Sequence, residues 1–317
     1  MENIAILTGG DSAEYNISLL SANTVLKHLN KAKYNGFIVH LKNGRYTVDS
    51  KEINTRNFSF KKENQNIIID KVFIALHGPP AENGLIQNYL DSIKIPYTAC
   101  NADISALTFD KYNCNRKLRS LGFNSAESVL ISKENTLNNK EILESIRLPC
   151  FIKPNGAGSS HGISKVVNRE ELEAAIDRAY KHDNKVIIED FIKGIEVSCG
   201  VYFDGLNIKA LPITEIISEN DFFDYEAKYE GKSEEITPAR ISRKITNKIQ
   251  KTTIDIYKKM FLSGICRIDY IIQNEQVFII EINTIPGLSE ESILPKQLKA
   301  ANINLSEVFD LCLNNIN

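Results

Sequence analysis

The sequence predicts an α/β protein of the α+β kind, assembled from two or three packed units, and three observations carry that prediction. An apolar strand, Ile4 to Thr8, runs into Gly9-Gly10, and from Ser18 to Leu29 the apolar residues Leu19, Leu20, Val25, Leu26 and Leu29 fall at helical spacing. Near the other end two apolar, β-branched runs, 266–273 and 277–284, are parted only by Asn274-Glu275-Gln276 and read as a buried strand pair. Between them, an Asn-x-x-Glu start at Asn168 opens a helix through Tyr180, and a second at Asn304 opens the last helix. A chain of 317 residues hides roughly three quarters of its unfolded surface, so the core is not limiting.

Charge narrows the partners. Lys plus Arg number 38 against 40 Asp plus Glu, a net charge of -2, which favours neither nucleic acid nor an anionic membrane and leaves a small molecule as the expected substrate. The six cysteines lie mostly inside apolar runs without Cys-x-x-Cys spacing and read as reduced core thiols. No stretch reaches about 18 apolar residues and no basic leader precedes an apolar segment, so a cytoplasmic protein is expected.

In the first unit, Asp11-Ser12-Ala13-Glu14 follows the glycine turn, which places Glu14 beyond the carboxyl end of the first strand, where open α/β sheets bind ligands; a helix N-terminal acid is the plainer alternative. Strands follow at Gly36 to Leu41 and Ile67 to Leu76, with an exposed Tyr46-Thr47-Val48 between them. The third strand ends in His77-Gly-Pro-Pro-Ala-Glu-Asn-Gly84, a stiff polar loop suited to substrate contacts, in which His77 is either a ligand or a packing histidine. A helix at Leu85 to Ile93 and an extended Ile95 to Ala99 close this unit.

The second unit opens with a helical region, Ile104 to Leu121, carrying Lys111. A strand, Pro149 to Lys153, then runs into Pro154-Asn-Gly-Ala-Gly-Ser-Ser-His-Gly162 before another strand at Ile163 to Val167. Glycines with bare N–H groups, Ser159 and Ser160, and Lys153 at the strand end suit phosphate oxygens, against an ordinary Gly/Ser hairpin as the alternative. Strands at Lys185 to Ile192, Val197 to Tyr202 and Ile208 to Ile216 bring Glu189 and Glu196 to an apolar strand edge. Residues 219–239 lack a sustained period but hold Phe222, Phe223, Tyr225 and Tyr229, the pattern of a lid. A helix from Ile241 to Met260 packs on the terminal strand pair.

That pair holds Arg267 and Asp269 on one face of its first strand and Glu281 and Asn283 on one face of its second. Two readings stay open on these residues: a hard-cation site shared with a phosphate ligand, or an Arg-Asp-Glu salt-bridge cluster. For Asp269 to face Glu281 the paired numbers must sum to an even value, which demands an odd-length loop or a compensating bulge.

The ordered set Gly9-Gly-Asp-Ser-Ala-Glu14, His77-Gly, Pro96-Tyr-Thr, Lys153-Pro, Gly158-Ser-Ser-x-Gly-x-Ser-Lys165, Asp224-Tyr-Glu-Ala-Lys-Tyr229, Arg267-Ile-Asp269 and Glu281-x-Asn-Thr-x-Pro-Gly287 resembles the ATP-grasp ligases and, within them, the D-alanine:D-alanine ligase family. The resemblance implies a three-domain ATP-grasp fold: an N-terminal domain at 1–100, a central subdomain at 101–188 and a C-terminal subdomain at 189–317. It implies ATP held by Lys111, Lys153, Ser159, Ser160, Glu189, Asp190, Ile192, Glu196, Lys228 and Ile280. Two Mg2+ ions, with Mn2+ as a possible substitute, would sit on Asp269, Glu281 and Asn283. Catalysis would fall to Glu14, Ser159, Tyr229, Arg267, Gly287 and Ser292, and substrate binding to Glu14, His77, Arg267, Gly287, Ser292 and Ile293. A homodimer is the assembly the family suggests. The chain departs from the family pattern at Ala157 in the phosphate loop and at Pro79-Pro80-Ala81 after His-Gly. Rival readings are another ATP-grasp ligase with different substrates and a nucleotide-binding regulator, which would be marked by a broken metal set.

Overall fold

A computed structural model describes residues 1–135, 137–158, 161–218 and 233–316. Three sheets organise them. The first lies within residues 2–74 and is built on β1 (Glu2–Gly9), which pairs in parallel with β2 (Tyr34–Lys42) and with a later strand, while α1 (Tyr15–His28) makes the crossover. Gly9 ends β1 at a φ of +100°, where a Cβ would lie 2.4 Å from the Leu41 carbonyl oxygen, so only glycine lets the chain turn toward the ligand side there. β3 (Arg45–Val48) and β4 (Lys51–Glu52) extend the sheet on the β2 side. Val48 is buried rather than exposed, because it turns inward against Tyr46 and Phe58 in the core.

The single strand expected at Ile67 to Leu76 is two. β5 (Ser59–Lys62) and β6 (Gln65–Ile68) form a separate hairpin, and only β7 (Lys71–Ile74) joins the sheet. Asp70 makes the break: its carboxylate accepts the Asn3 N–H at 2.7 Å and its own N–H donates to the Asn3 carbonyl at 2.9 Å, pinning the join to the start of β1. α2 (Leu85–Ser92) follows the polar loop.

The helical region after residue 101 is also two elements, α3 (Ala102–Phe109) and α4 (Lys111–Ser120). Asp110 ends one in extended backbone and caps the other, its side chain accepting the Asn113 N–H at 3.0 Å, which sets Lys111 as the first residue of α4. The second sheet comprises β8 (Ser128–Ser132), β9 (Cys150–Pro154), β10 (Ser164–Val166) and β11 (Lys185–Asp190), in the order β10-β9-β11-β8, backed by α5 (Asn139–Ser145) and α6 (Leu172–Ala179). The Asn168/Glu171 capping box is present.

The third sheet carries the strand pair expected at 266–273 and 277–284. β12 (Ile195–Phe203) pairs with β13 (Ile208–Ala210), with β14 (Thr214–Ser218) and with β16 (Cys266–Gln273); β15 (Ser233–Ile236) lies outside β14 and β17 (Gln276–Asn283) outside β16. β15 falls inside the stretch expected to lack strands, and backbone pairing with β14, not side-chain pattern, creates it. α7 (Arg243–Lys259), capped by Ser242, covers one face through Ile245, Ile249 and Ile256 as expected. α8 (Ile293–Ala300) and α9 (Leu305–Asn314) complete the chain; Asn304 caps the latter without a side-chain hydrogen bond, so its Asn-x-x-Glu is not a working box.

Sheet membership moves the expected boundaries. A cut between 188 and 189 would split β11, whose last residues pair with β9; the break between sheets falls between Asp190 and Ile195. Cys114 and Leu118 of α4 pack with Val197, Ile268 and Tyr270, so this helix shares a core with the third sheet rather than the second.

Candidate active site

β16 and β17 meet through a two-residue turn, Asn274-Glu275, with both residues at positive φ, rather than the three-residue loop of the expectation. Gln273 faces Gln276 and Tyr270 faces Ile279, yet Asp269 faces Glu281 and Arg267 faces Asn283. Ile280 is the extra residue: a bulge there advances the register by one, which is the compensation the parity of 269 and 281 required. Its consequence is chemical. Phe278 and Ile280 on one side of the bulge and Glu281 and Asn283 on the other all turn to the same cleft, so an apolar wall passes into a polar one without a change of sheet face.

Asp269 is buried and fully hydrogen-bonded. Oδ1 accepts from Ser198 Oγ at 2.6 Å and Arg267 Nε at 2.9 Å, and Oδ2 accepts from Arg267 Nη2 at 2.8 Å and Asn283 Nδ2 at 3.0 Å. The two readings of this quartet are therefore not exclusive, since the salt bridge and the hard-cation ligands are the same groups. Among the described residues no three His, Cys, Asp or Glu side chains converge on one point. A cation held here would find two carboxylates and an amide from protein and would need the rest from ligand oxygens, a donor set that suits Mg2+ on a phosphate better than a closed structural site.

A cavity of about 490 Å3 lies between the second and third sheets. Phe151, Phe191, Ile271, Phe278 and Ile280 form its apolar part, and Lys111, Lys153, Glu189, Glu196, Asp269 and Glu281 its charged part; Asp190 and Ile192 line it as well. Phe151 and Lys153 reach it because alternate residues of β9 share a face, with Ile152 turned to the core. Lys153 Nζ lies 2.7 Å from Glu189, whose other oxygen accepts from Asn115 Nδ2 at 2.7 Å. Burial pulls the Lys153 ammonium down, but Glu189, helped by Glu281 and Glu196, outweighs it and holds the lysine charged. Glu189, expected among the residues that hold ATP, thus has both oxygens engaged by protein groups. The Asp190 N–H is likewise taken, by the Glu127 carbonyl at 3.0 Å. Lys111, at the start of α4, donates to the Ala157 carbonyl at 2.6 Å and so ties α4 to the phosphate loop. Burial lowers its affinity for a proton, opposed chiefly by Glu281.

A second cavity of about 310 Å3 adjoins the first. It is lined by Glu14, His77, Glu82, Arg267, Asn283, Gly287, Ser292 and Ile293, and shares Lys111, Ala157, Gly158 and Glu281 with its neighbour. Glu14 makes no side-chain cap for α1; its Oε2 instead sits where a Cβ on Gly78 would come within 2.9 Å and one on Gly158 within 2.8 Å. Those two glycines let the loops close on the carboxylate. Gly287 packs on Ser292, whose Oγ would lie 2.8 Å from a Cβ there, and Ser292 stands at the start of α8 without capping it through its side chain.

His77 has a different occupation from the expected substrate contact. Its Nδ1 lies 2.9 Å from the Ile285 carbonyl, which can only accept, so Nδ1 carries the proton and Nε2 accepts from Ser21 Oγ at 2.8 Å. Ser21 Oγ in turn accepts the Leu288 N–H at 3.1 Å. The ring is buried, burial lowers its pKa, and it fastens the 285–288 loop bearing Gly287 to α1.

Glu82 is the acid that sequence reasoning passed over, although its loop was singled out. Burial, together with the neighbouring Glu14, pushes its carboxyl up to about 8. The signal was the loop's construction: buried Gln87 donates to the Ala81 carbonyl at 2.8 Å and to Ser105 Oγ at 3.2 Å, fixing the turn that presents Glu82. Ser159, Ser160, Lys228 and Tyr229 lie outside the described residues.

The chain matches the D-ala D-ala ligase N-terminus model over residues 3–100 and the D-ala D-ala ligase C-terminus model over residues 118–313. It is 48% identical to a D-alanine–D-alanine ligase of Flavobacterium johnsoniae over 98% of this chain and 97% of that protein. It is 45% identical to one of Christiangramia forsetii, over 97% of this chain and 96% of that protein. Among solved structures it superposes on a D-Ala:D-Ser ligase of Enterococcus faecalis with a TM-score of 0.87 at 31% identity, covering 99% of this chain and 98% of that one. A D-alanine–D-alanine ligase of Bacillus anthracis complexed with ATP gives a TM-score of 0.81 at 27% identity, covering 99% and 97%. An ATP-grasp fold, an intact Arg267/Asp269/Glu281/Asn283 quartet and full-length relatives agree: this chain belongs to the D-alanine–D-alanine ligase family.

Proposed function

We propose that ATP occupies the larger cavity and two D-alanine molecules the smaller, and that the chain joins them through D-alanyl phosphate, giving D-alanyl-D-alanine, ADP and phosphate. The observation that carries this is the seam between the cavities: Lys111, Ala157, Gly158 and Glu281 line both, so a terminal phosphate in one comes within reach of a carboxylate in the other. Phosphoryl transfer asks for positioning and charge neutralisation more than for acid or base, and the seam offers both.

Glu14 holds the first substrate's ammonium group and orients its carboxylate toward the seam. Lys111 and Lys153 hold the phosphates, while Glu196 and the backbone at Asp190 and Ile192 hold ribose and adenine against Phe191, Phe278 and Ile280. Asp269, Glu281 and Asn283 hold two Mg2+ ions, which supply charge neutralisation on the phosphates when bound. The second amine attacks the acyl phosphate; Arg267 and the Gly287 N–H stabilise the oxyanion, and phosphate leaves. Ser292 and the N–H of Ile293 take the second carboxylate at the positive end of α8. An acyl phosphate must be kept from water; Ser159, Ser160, Lys228 and Tyr229, which lie outside the described residues, are assigned to nucleotide binding and catalysis by the family resemblance alone. Ile17, Leu20 and Ile293 give the smaller cavity an apolar wall, which suits a methyl side chain and favours D-alanine as second substrate. Mn2+ substitutes for Mg2+, the chain pairs as a homodimer, and it works in the cytoplasm.

Purified protein given ATP, Mg2+ and D-alanine is expected to release phosphate and dipeptide in equal amounts. Phosphate release indifferent to D-alanine would sink the assignment.

A further inference from the structure

Resting on the reading of Asp269 as a cation ligand, we propose that Ser198 is the positioning residue that sets the Asp269 carboxylate, leaving Oδ2 as the oxygen turned to the cation. Ser198 lies on β12 opposite Asp269 in the antiparallel register, on the same face of the sheet, and has no exposed surface. Its hydroxyl donates to Asp269 Oδ1 at 2.6 Å. A carboxylate offers about four acceptor directions, and Asp269 has four donors on it, two on each oxygen. A cation must therefore displace a donor.

The donors differ in their freedom to yield. Asn283 reaches Oδ2 from the cleft rim, and the same amide, turned over, offers its own oxygen to the cation. Arg267 sits on a long stem that also lines the substrate cavity. Ser198 cannot move away: its strand is flanked by β14 and β16, and its carbonyl accepts from the buried Gln297 Nε2 at 2.8 Å. Gln297 also accepts the Gly200 N–H at 2.9 Å and donates to Thr214 Oγ1 at 3.1 Å, so the backbone that carries Ser198 is fastened from above by α8. The hydroxyl is the fixed donor, and Oδ1 stays with it. Partners of this kind fix ligand orientation and set metal affinity without touching the metal.

The test is Mn2+ binding, followed by electron paramagnetic resonance in the presence of a non-hydrolysable ATP analogue. Ser198→Ala is expected to weaken Mn2+ by roughly 10- to 100-fold, and Ser198→Thr, which keeps the hydroxyl, to remain near wild type. In turnover the Ala variant needs more Mg2+ for half-activation yet approaches the wild-type kcat at saturation. Ser198→Cys, nearly isosteric and a weak donor, replaces the Ala variant if that one does not fold, with the same expectation. Unchanged Mn2+ affinity in the folded Ala or Cys variant overturns the role of Ser198, as does equal loss in the Thr variant. Wild-type protein that takes up no Mn2+, or takes it up equally after Asp269→Asn, overturns the metal reading itself.

Discussion

Glu82 and Arg267 show how differently two charged residues of one cavity are held. Glu82 sits half-buried on the cavity wall beside Glu14, with its carboxyl raised from the ordinary 4.5 to about 8. Between those values the folded chain binds a proton that the unfolded chain releases, so stability falls as pH rises through the window. Glu82→Gln removes that slope: measured without metal, its melting temperature is expected to gain on wild type from pH 5 to pH 8. A difference that stays flat over the window would mean that Glu82 is ionised in the fold. Arg267, by contrast, is committed to Asp269 through two bonds of 2.9 and 2.8 Å and lines the smaller cavity, where the proposed reaction would develop its oxyanion. Arg267→Ala is expected to abolish turnover, a loss of at least about a hundredfold by the usual worth of an oxyanion donor, and normal dipeptide formation would remove Arg267 from the mechanism. Arg267 was legible in the sequence, because a charge inside an apolar run is conspicuous, whereas Glu82 sits in a polar loop where a carboxylate draws no notice. Engagement was not legible: nothing in the order of residues says that both oxygens of Glu189 are engaged by Lys153 and Asn115, or that both nitrogens of His77 are spent on Ser21 and Ile285.

At the level of elements, pattern gave the strands and helices, and geometry gave their breaks. The hydrophobic run from Ile67 to Leu76 is continuous in composition, yet Asp70 bonds to Asn3 and divides it; the helical run from Ile104 to Leu121 divides at Asp110 for a similar reason, a side chain that prefers a backbone N–H to the helix. The bulge at Ile280 was legible only as a parity condition, and a strand partner was needed to choose between a longer turn and a bulge. A buried polar side chain, Gln297, ties α8 to the third sheet beside its apolar contacts. Gln297 serves Gly200, Ser198 and Thr214 at once, so Gln297→Met leaves a backbone N–H and a carbonyl without partners. At about 1–3 kcal/mol for each buried unsatisfied group, urea unfolding should show a loss of about 3 kcal/mol; a loss under about 0.5 kcal/mol, the range of ordinary surface changes, would mean that water or a shifted α8 takes over.

For the whole molecule, the site exists because three sheets meet. The first brings Glu14 and the 77–84 loop, the second Lys153 and the phosphate loop, the third the bulged pair, and α4 carries Lys111 to the point where both cavities touch. A ligand spanning that junction stabilises the fold by mass action, about 2.7 kcal/mol at one hundred times its Kd. A non-hydrolysable ATP analogue with Mg2+ should therefore raise the melting temperature of wild type and of Arg267→Ala alike, and a shift lost in the variant would place Arg267 in nucleotide binding instead. The sequence by itself determined the fold class, the family and the residue types of the quartet, because hydrophobic period and motif order are local properties of the chain. Only the tertiary structure decided which carboxylates face the cleft, which are already bonded, and that Ser198 stands behind Asp269. Strand register and loop closure bring together residues some seventy positions apart, Ser198 and Asp269 among them, and no local pattern encodes a distance across a sheet.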